Sequence, residues 1–234
     1  MQDMEKIKKT VLVTGANGNL GAAVVNYFLQ NHWQVIGLVH SERKEKFQQE
    51  HYSEYVVDLM DEEATSNLIQ QLIAEFGIIE AAVMTAGGFD AGTVDKTTLA
   101  DLKKQYLLNF ETAFTVANSL LSSMRKNEFG RMFFIGSMPG MEAKRSGNAV
   151  AYGLSKSLLF HFAGILNHEL KKIDFNAYVI VPNIIDTPQN RKGMPDADFS
   201  SWQKPSDIAS IIYSYTEKEK DSNRVALVVE EELK

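Results

Sequence analysis

Short unbroken apolar runs alternate along this chain with longer stretches in which apolar residues recur at helical spacing. The runs TVLVT (10–14), QVIGLV (34–39), EYVVD (54–58), AAVMTA (81–86), RMFFIGS (131–137), NAYVIV (176–181) and RVALVV (224–229) are continuously apolar rather than alternating. That pattern predicts strands covered on both faces, as in a parallel sheet. Helices are predicted between them, near 20–31, 61–76, 98–126, 149–172 and 205–218. Such alternation predicts a doubly wound α/β fold: a mostly parallel seven-stranded sheet with helices on both faces. No linker, repeat or low-complexity tract interrupts it, so residues 1–234 read as a single domain. The longest irregular piece runs from Pro182 to Pro205. A stretch of that length in a compact domain is expected to be a lid or binding loop. The alternative is a plain surface loop, against which Phe199 and Trp202 within it speak.

Composition narrows the partners. With 234 residues and 44% apolar content, the chain can bury a full-sized core. A net charge of −6 implies no basic face, so neither nucleic acid nor an anionic membrane is an expected partner. The absence of cysteine excludes disulfides and thiolate metal sites and fits a reducing compartment. The opening MQDMEKIKKT has no apolar signal region, and no run approaches the roughly 18 residues that span a bilayer. A soluble cytoplasmic protein is expected. The five histidines (His32, His40, His51, His161, His168) have no ligand spacing with a carboxylate cluster, so no metal is expected. His161 and His168 read as packing or solvent-facing residues on one helix surface, and the EEE run at 230–232 as a solvated edge.

The first candidate chemistry lies in VLVTGANGNLG, where the first strand turns into the first helix. In that setting Gly15 permits the tight turn, Gly18 lets the backbone approach a pyrophosphate, and Gly21 lets the helix pack against the sheet. Amides of the helix N-terminus, around Asn17, Asn19 and Leu20, then favour the anion. A structural turn is the competing reading. The second candidate is AYGLSKS, which sets Tyr152 and Lys156 one turn apart on a helix face. Alone, that spacing is equally a solvated helix face.

Taken in order, TGANGNLG, TAGG (85–88), LLNF with Asn109, IGS with Ser137, and Tyr152/Lys156 resemble the short-chain dehydrogenase/reductase family over nearly the whole chain. Asn19 stands where many members have their middle glycine. The segment DTPQNRKGMPDADFSSW (186–202), with AGGF (86–89), is similar to the dihydropteridine reductase-like branch of that family. The resemblance implies a Rossmann domain that binds NADP or NAD, with residues 182–205 as the substrate loop. It also implies a catalytic set of Ser137, Tyr152, Lys156 and Asn109. In such chemistry a hydride arrives from the nicotinamide and a general acid supplies a proton. A neighbouring ammonium favours the phenolate, so Lys156 is expected to lower the pKa of Tyr152, and it can also hold the nicotinamide ribose. Ser137 is expected to hydrogen-bond the reacting group, or else to be a strand-end turn residue. Asn109 is expected to hold a water linking Lys156 to solvent, or else to cap or bend its helix.

Several further cofactor contacts follow from the same resemblance. The second strand should end beside the adenosine ribose, where an acidic residue prefers NAD and a cation accommodates the 2′-phosphate of NADP. The segment places Val39 and His40 there, with Arg43 and Lys44 beyond, which leans to NADP; Glu42 turned inward would argue for NAD. Asp58 is expected to accept from the adenine amino group, followed by Leu59, with a helix cap as the alternative. Ala86, Gly87 and Gly88 should let the backbone pass close to the cofactor. Pro182 and Asn183 take the place of the family's Pro-Gly, and Ile184 and Thr187 match positions that contact the carboxamide. Met194, Phe199 and Trp202 are candidates to line a flat pocket, unless Trp202 merely staples the loop. The substrate is then a quinonoid dihydropterin, suggested by the loop, or a carbonyl compound, suggested by Ser137. The long helices at 98–126 and 149–172 are expected to pair with further copies, giving a homodimer or homotetramer. The competing function is a dinucleotide-binding sensor that performs no chemistry.

Overall fold

A computed structural model describes residues 9–41, 49–221 and 224–234. The strands are β1 (Thr10–Thr14), β2 (Gln34–Val39), β3 (Tyr52–Val56), β4 (Ala81–Met84), β5 (Phe129–Ile135), β6 (Asp174–Val181) and β7 (Ala226–Val228). They form one seven-stranded sheet in the order β3-β2-β1-β4-β5-β6-β7, with every pairing parallel. Leu12 of β1 pairs with Ile36 on one side and Ala82 on the other. The order reverses between β1 and β4, and open α/β sheets hold ligands at the crevice of such a switch.

Helices α1 (Asn19–Gln30) and α8 (Pro205–Glu217) cover one face of the sheet. Val24, Phe28, Ile208 and Ile212 meet the strand residues Val11, Val13, Phe133 and Ile180 there. Helices α2 (Glu62–Phe76), α4 (Thr112–Lys126) and α6 (Val150–Glu169) cover the other. On that side Ile69, Val116, Leu120, Leu159 and Leu166 pack on Leu12, Phe134 and Val179. The continuously apolar strands are therefore wetted on neither face, which is why they do not alternate. Asn167 pins α6 to β6, its amide donating to the Ala177 carbonyl at 3.0 Å and accepting from the Ala177 N–H at 2.7 Å. This satisfies backbone groups on the flank of β6 that the short β7 does not reach.

The observed boundaries depart from the expected ones for local reasons. β3 ends at Val56 because it is an edge strand of partly exposed residues, and the apolar run continues past the pairing. β4 stops at Met84 because Thr85 and Ala86 turn onto the end of β1. The expected helix over 98–126 is α3 (Leu99–Tyr106), a π-helical turn over Leu107–Glu111, and α4. Its start is a capping box between Thr98 and Asp101. The acidic run is not merely solvated: it forms the short helix α9 (Val229–Glu232), where Glu232 binds the Tyr215 hydroxyl and the Arg224 guanidinium.

The stretch 182–205 is more ordered than its composition suggests. It holds the short helix α7 (Pro188–Gly193), a 3₁₀ turn over Phe199–Ser201, and a bridge from Ile185 to Gln203. Asp186 takes both prongs of Arg191 at 2.6 and 2.7 Å. That guanidinium lies 4.7 Å over the Phe199 ring, and Phe199 meets Trp202 at 4.7 Å between centroids. Among the described residues, no helix is long and apolar enough to cross a membrane.

Candidate active site

The glycine turn sits at the switch between β1 and β4. Gly15 has φ +61°, a left-handed conformation that favours glycine, and its N-terminal neighbour ends β1. A Cβ on Gly21 would stand 2.1 Å from the Gly15 carbonyl oxygen, so α1 crosses the turn at a distance only hydrogen allows. The helix begins at Gly18 with no side-chain cap and no acidic residue in its first turn. Its leading amides, including those of Asn19 and Leu20, are thus open to an anion, and the residues present fit a dinucleotide diphosphate. Asn17 reaches the Ser41 carbonyl at 3.5 Å and ties the turn to the end of β2.

At that strand end His40 is exposed, with Nδ1 3.9 Å from the Asp58 carboxylate. Asp58 also accepts from the Met60 N–H at 3.0 Å. It is not the cap of α2; Asp61 is, accepting from Ala64. Leu59 packs against the core beneath. Arg43, with Glu42 and Lys44, lies outside the described residues.

The segment after β4 is built into the same crevice. Thr85 Oγ1 donates to the Thr14 carbonyl at 2.6 Å, and the Ala86 N–H donates to Thr14 Oγ1 at 3.1 Å. Gly88 exchanges two bonds with the Asn109 amide: its N–H donates at 2.9 Å and its carbonyl accepts at 3.0 Å. A Cβ on Gly87 would lie 2.6 Å from Asn109 Oδ1 and 3.3 Å from Lys156 Nζ. Asn109 is buried in the π turn, a widened geometry often found at functional sites. Its Nδ2 also donates to Gln105 Oε1 at 2.8 Å and to Ser155 Oγ at 3.2 Å. The side chain is therefore engaged at both ends within the protein, while Oδ1 keeps a second lone pair.

Ser137, Tyr152 and Lys156 converge beyond the end of β5. Ser137 caps the short helix α5 (Met138–Met141), its Oγ accepting from the Gly140 N–H at 3.1 Å. α5 lies directly on α6, since a Cβ on Gly140 would be 2.6 Å from the Lys156 Cβ. Ser137 is thus a strand-end cap, and its side chain also lies within hydrogen-bonding reach of the Tyr152 phenol. Lys156 is buried and donates to the Ile135 carbonyl at 2.7 Å, with Nζ 5.9 Å from the Tyr152 ring centre. Burial lowers its pKa from 10.5 to about 8. Burial raises the phenol above its ordinary value, and the contact with Ser137 opposes that only partly. The phenol thus moves up rather than down as expected, because burial disfavours the phenolate and outweighs the opposing contact.

Pro182, Ile184 and Thr187 stand at the end of β6, but their contacts run away from this cluster. The Ile184 carbonyl accepts from Gln203, and Thr187 caps α7 through Asn190. Trp202 is buried and packs on Phe199 of the same loop, whereas Met194 is exposed. Two residues that sequence reasoning did not assign belong to the site. Gln105 precedes Asn109 by one helical turn, a spacing visible in the sequence, and Phe89 follows the glycines, 5.0 Å from the Tyr152 ring.

Comparison with known proteins agrees with this geometry. The sequence profile described as short chain dehydrogenase matches residues 9–198. The dihydropteridine reductase of Dictyostelium discoideum is 26% identical over 215 residues, covering 90% of this chain and 88% of the relative. The 3-oxoacyl-[acyl-carrier-protein] reductase MabA of Mycobacterium tuberculosis is 30% identical over 188 residues, covering 79% and 72%. The solved structure of ElxO with NADP bound superposes with a TM-score of 0.86 at 22% identity, over 95% of this chain and 97% of that one.

The buried Lys156 ammonium has a thermodynamic consequence. Its pKa is about 8 folded and 10.5 as a free side chain. Between those values the unfolded chain binds more protons, so stability rises with pH through that window. Below about pH 8 the charge is present in both states, and its burial costs about 3 kcal/mol. Lys156→Met removes that cost but strands the Ile135 carbonyl, a loss of about 1–3 kcal/mol. In urea unfolding, the wild-type midpoint is expected to rise from pH 7 to pH 10 relative to that of Lys156→Met. Parallel pH profiles would show that the ammonium is not buried.

Proposed function

The chain belongs to the short-chain dehydrogenase family, and on that premise we propose that it is an NAD(P)H-dependent oxidoreductase with Tyr152 as its general acid. The observation that carries this reading is the convergence of Ser137, Tyr152 and Lys156 beside Gly87, at the strand ends next to the glycine turn. When bound, the reduced nicotinamide supplies a hydride to an electrophilic carbon. The Tyr152 hydroxyl gives its proton to the oxygen or nitrogen on which charge develops. Its raised pKa keeps that proton in place at neutral pH. The Gly140 amide occupies one lone pair of Ser137 Oγ, which leaves the Ser137 hydroxyl proton free to steady the phenol or the acceptor. Lys156 uses one of its three donors on Ile135 and has two left for the ribose and the departing phenolate charge. Gly15, Asn17, Gly18, Asn19, Leu20 and Gly21 hold the diphosphate, and Ala86, Gly87 and Gly88 form the floor of the crevice. Residues 1–234 act as one dinucleotide-binding unit, with 182–205 as the substrate loop. Nothing in the site favours a silent sensor, because the acid, the ammonium and the serine are all present.

The acceptor is the imine of a quinonoid dihydropterin or a carbonyl group, in keeping with relatives named as a dihydropteridine reductase and a 3-oxoacyl reductase. Tyr152→Phe is expected to lower kcat by about 10²- to 10⁴-fold. The dissociation constant for the dinucleotide should stay within about twofold, since the phenol is not among the diphosphate contacts. Retained turnover would remove Tyr152 as the acid.

NADP is the favoured dinucleotide. Val39, His40 and Ser41 present no carboxylate at the end of β2, where a 2′-hydroxyl acceptor would stand. The kcat/KM with NADPH is expected to exceed that with NADH by at least about tenfold, and His40→Asp to narrow the gap. A preference for NADH would reverse the assignment.

The protein also assembles with itself. Leu99 on α3, Phe114 on α4, and Leu154, Leu158 and Ile165 on α6 leave large apolar side chains in solvent. Patches of that kind mark association surfaces, and a second copy offers a matching one. Sedimentation is expected to show dimers or tetramers that Leu158→Arg dissociates. A wild-type monomer at micromolar concentration would exclude this.

A further inference from the structure

The segment that leaves β6 is fastened by two side chains rather than by the core. β6 runs beside β5 on the side away from the glycine turn, and its Ile180 carbonyl accepts from the Gly136 N–H at 2.8 Å. The chain therefore leaves β6 on the flank of Ser137 and of the Ile135 carbonyl that holds Lys156. A dinucleotide with its diphosphate on the glycine turn and its nicotinamide in reach of Tyr152 has to cross the ends of β4 and β5. The wall it then meets is formed by residues 183–187. None of these five is buried, so water could take their backbone groups. Instead Gln203, which is only 8% exposed, holds three of them. Its Oε1 accepts from the Asn183 N–H at 2.9 Å. Its own N–H donates to the Ile184 carbonyl at 2.9 Å, and its carbonyl accepts from the Asp186 N–H at 2.8 Å. Asn190 takes the rest, its Nδ2 donating to the Ile185 carbonyl at 2.8 Å and its N–H to Thr187 Oγ1 at 3.1 Å. Two of the Gln203 bonds are backbone bonds that most residues could make. The third belongs to its side chain, and it fixes the peptide that joins Pro182 to Asn183.

We propose that Gln203 is a positioning residue for the nicotinamide end of the cofactor: by capturing the Asn183 N–H it fixes the wall at 183–187 against which that ring is seated. The proposal deepens, and rests on, the reading of this chain as an NAD(P)H-dependent oxidoreductase. A wall that is set before the ligand arrives spares binding the entropy of ordering it. Without the Gln203 oxygen, the Asn183 N–H has to find water, and the first peptide of the wall is free to turn. Gln203 acts through that peptide, and nothing in the arrangement requires it to touch the cofactor.

The test is calorimetric binding of NADPH and of 2′-phospho-ADP-ribose, which is the same molecule without its nicotinamide. NADH and ADP-ribose form a second pair, and the comparison is read on whichever pair binds the wild type more tightly. Gln203→Leu is expected to weaken the dinucleotide about tenfold and to leave the fragment within about twofold of wild type. Gln203→Glu keeps an acceptor oxygen at the same reach and is expected to bring the dinucleotide back to within about threefold. A general loosening of the domain would lower both ligands together, and Gln203→Glu would not reverse it. Should Gln203→Leu not fold, Gln203→Asn withdraws the oxygen by one methylene while keeping the amide. It is expected to weaken the dinucleotide about fivefold, with the fragment again unchanged. Unaltered dinucleotide binding in the folded Leu or Asn variant, equal losses for dinucleotide and fragment, or a Gln203→Glu variant no better than Gln203→Leu would each overturn the proposal and leave the oxidoreductase reading standing. A wild type that binds neither pair would remove both.

Discussion

The side chain of Asn109 is where the separate pieces of this crevice become one object. Its amide holds the backbone that follows β4, the start of α6 through Ser155, and the turn above it through Gln105. Buried amides of this kind tolerate little displacement, because each lost bond leaves a dry polar group behind. The π turn that carries Asn109 is part of the same arrangement.

Around that clamp the protein keeps two ionisable groups in environments that oppose their charged forms. Tyr152 is held protonated and Lys156 is moved toward neutrality by the same dryness. The phenol therefore carries its proton at neutral pH and is a weaker acid than a free tyrosine. The ammonium sits on a β5 carbonyl with donors to spare. Stability is surrendered locally for this, and the two apolar layers on either face of the sheet supply the support.

The fold was largely legible in the sequence because its strands are buried on both faces and its helices are not, which gives each a different period. The glycine turn was legible for a related reason: Gly15 and Gly21 occupy places where a methyl group would collide, so the spacing reports geometry directly. The ends of β3 and β4 were not legible, since pairing and side-chain capture by Thr14, rather than hydrophobicity, decide where they stop. Tyr152, Lys156 and Ser137 could be singled out as residue types. The direction of the phenol's pKa could not, because it depends on how deeply the fold buries the hydroxyl. The burial of Gln105 was hidden for a similar reason: in the sequence it looks like an exposed helix polar residue, and only the contacts with Asp90 and Asn109 show otherwise. The order inside 182–205 came from Asp186, Arg191, Phe199 and Trp202 acting on one another, which no periodicity announces.

The strand order has a consequence for how the molecule comes into being. β1 lies between β2 and β4, and its terminal threonine is completed by Thr85 and Ala86. A ribosome therefore releases the glycine turn long before the segment that locks it, and the apolar side of α1 has to wait for α8, near the far end of the chain. Distant pairings of this kind fold slowly and leave sticky intermediates in the meantime. The nascent N-terminal third is thus the part of this protein that most needs shielding by chaperones while synthesis is under way.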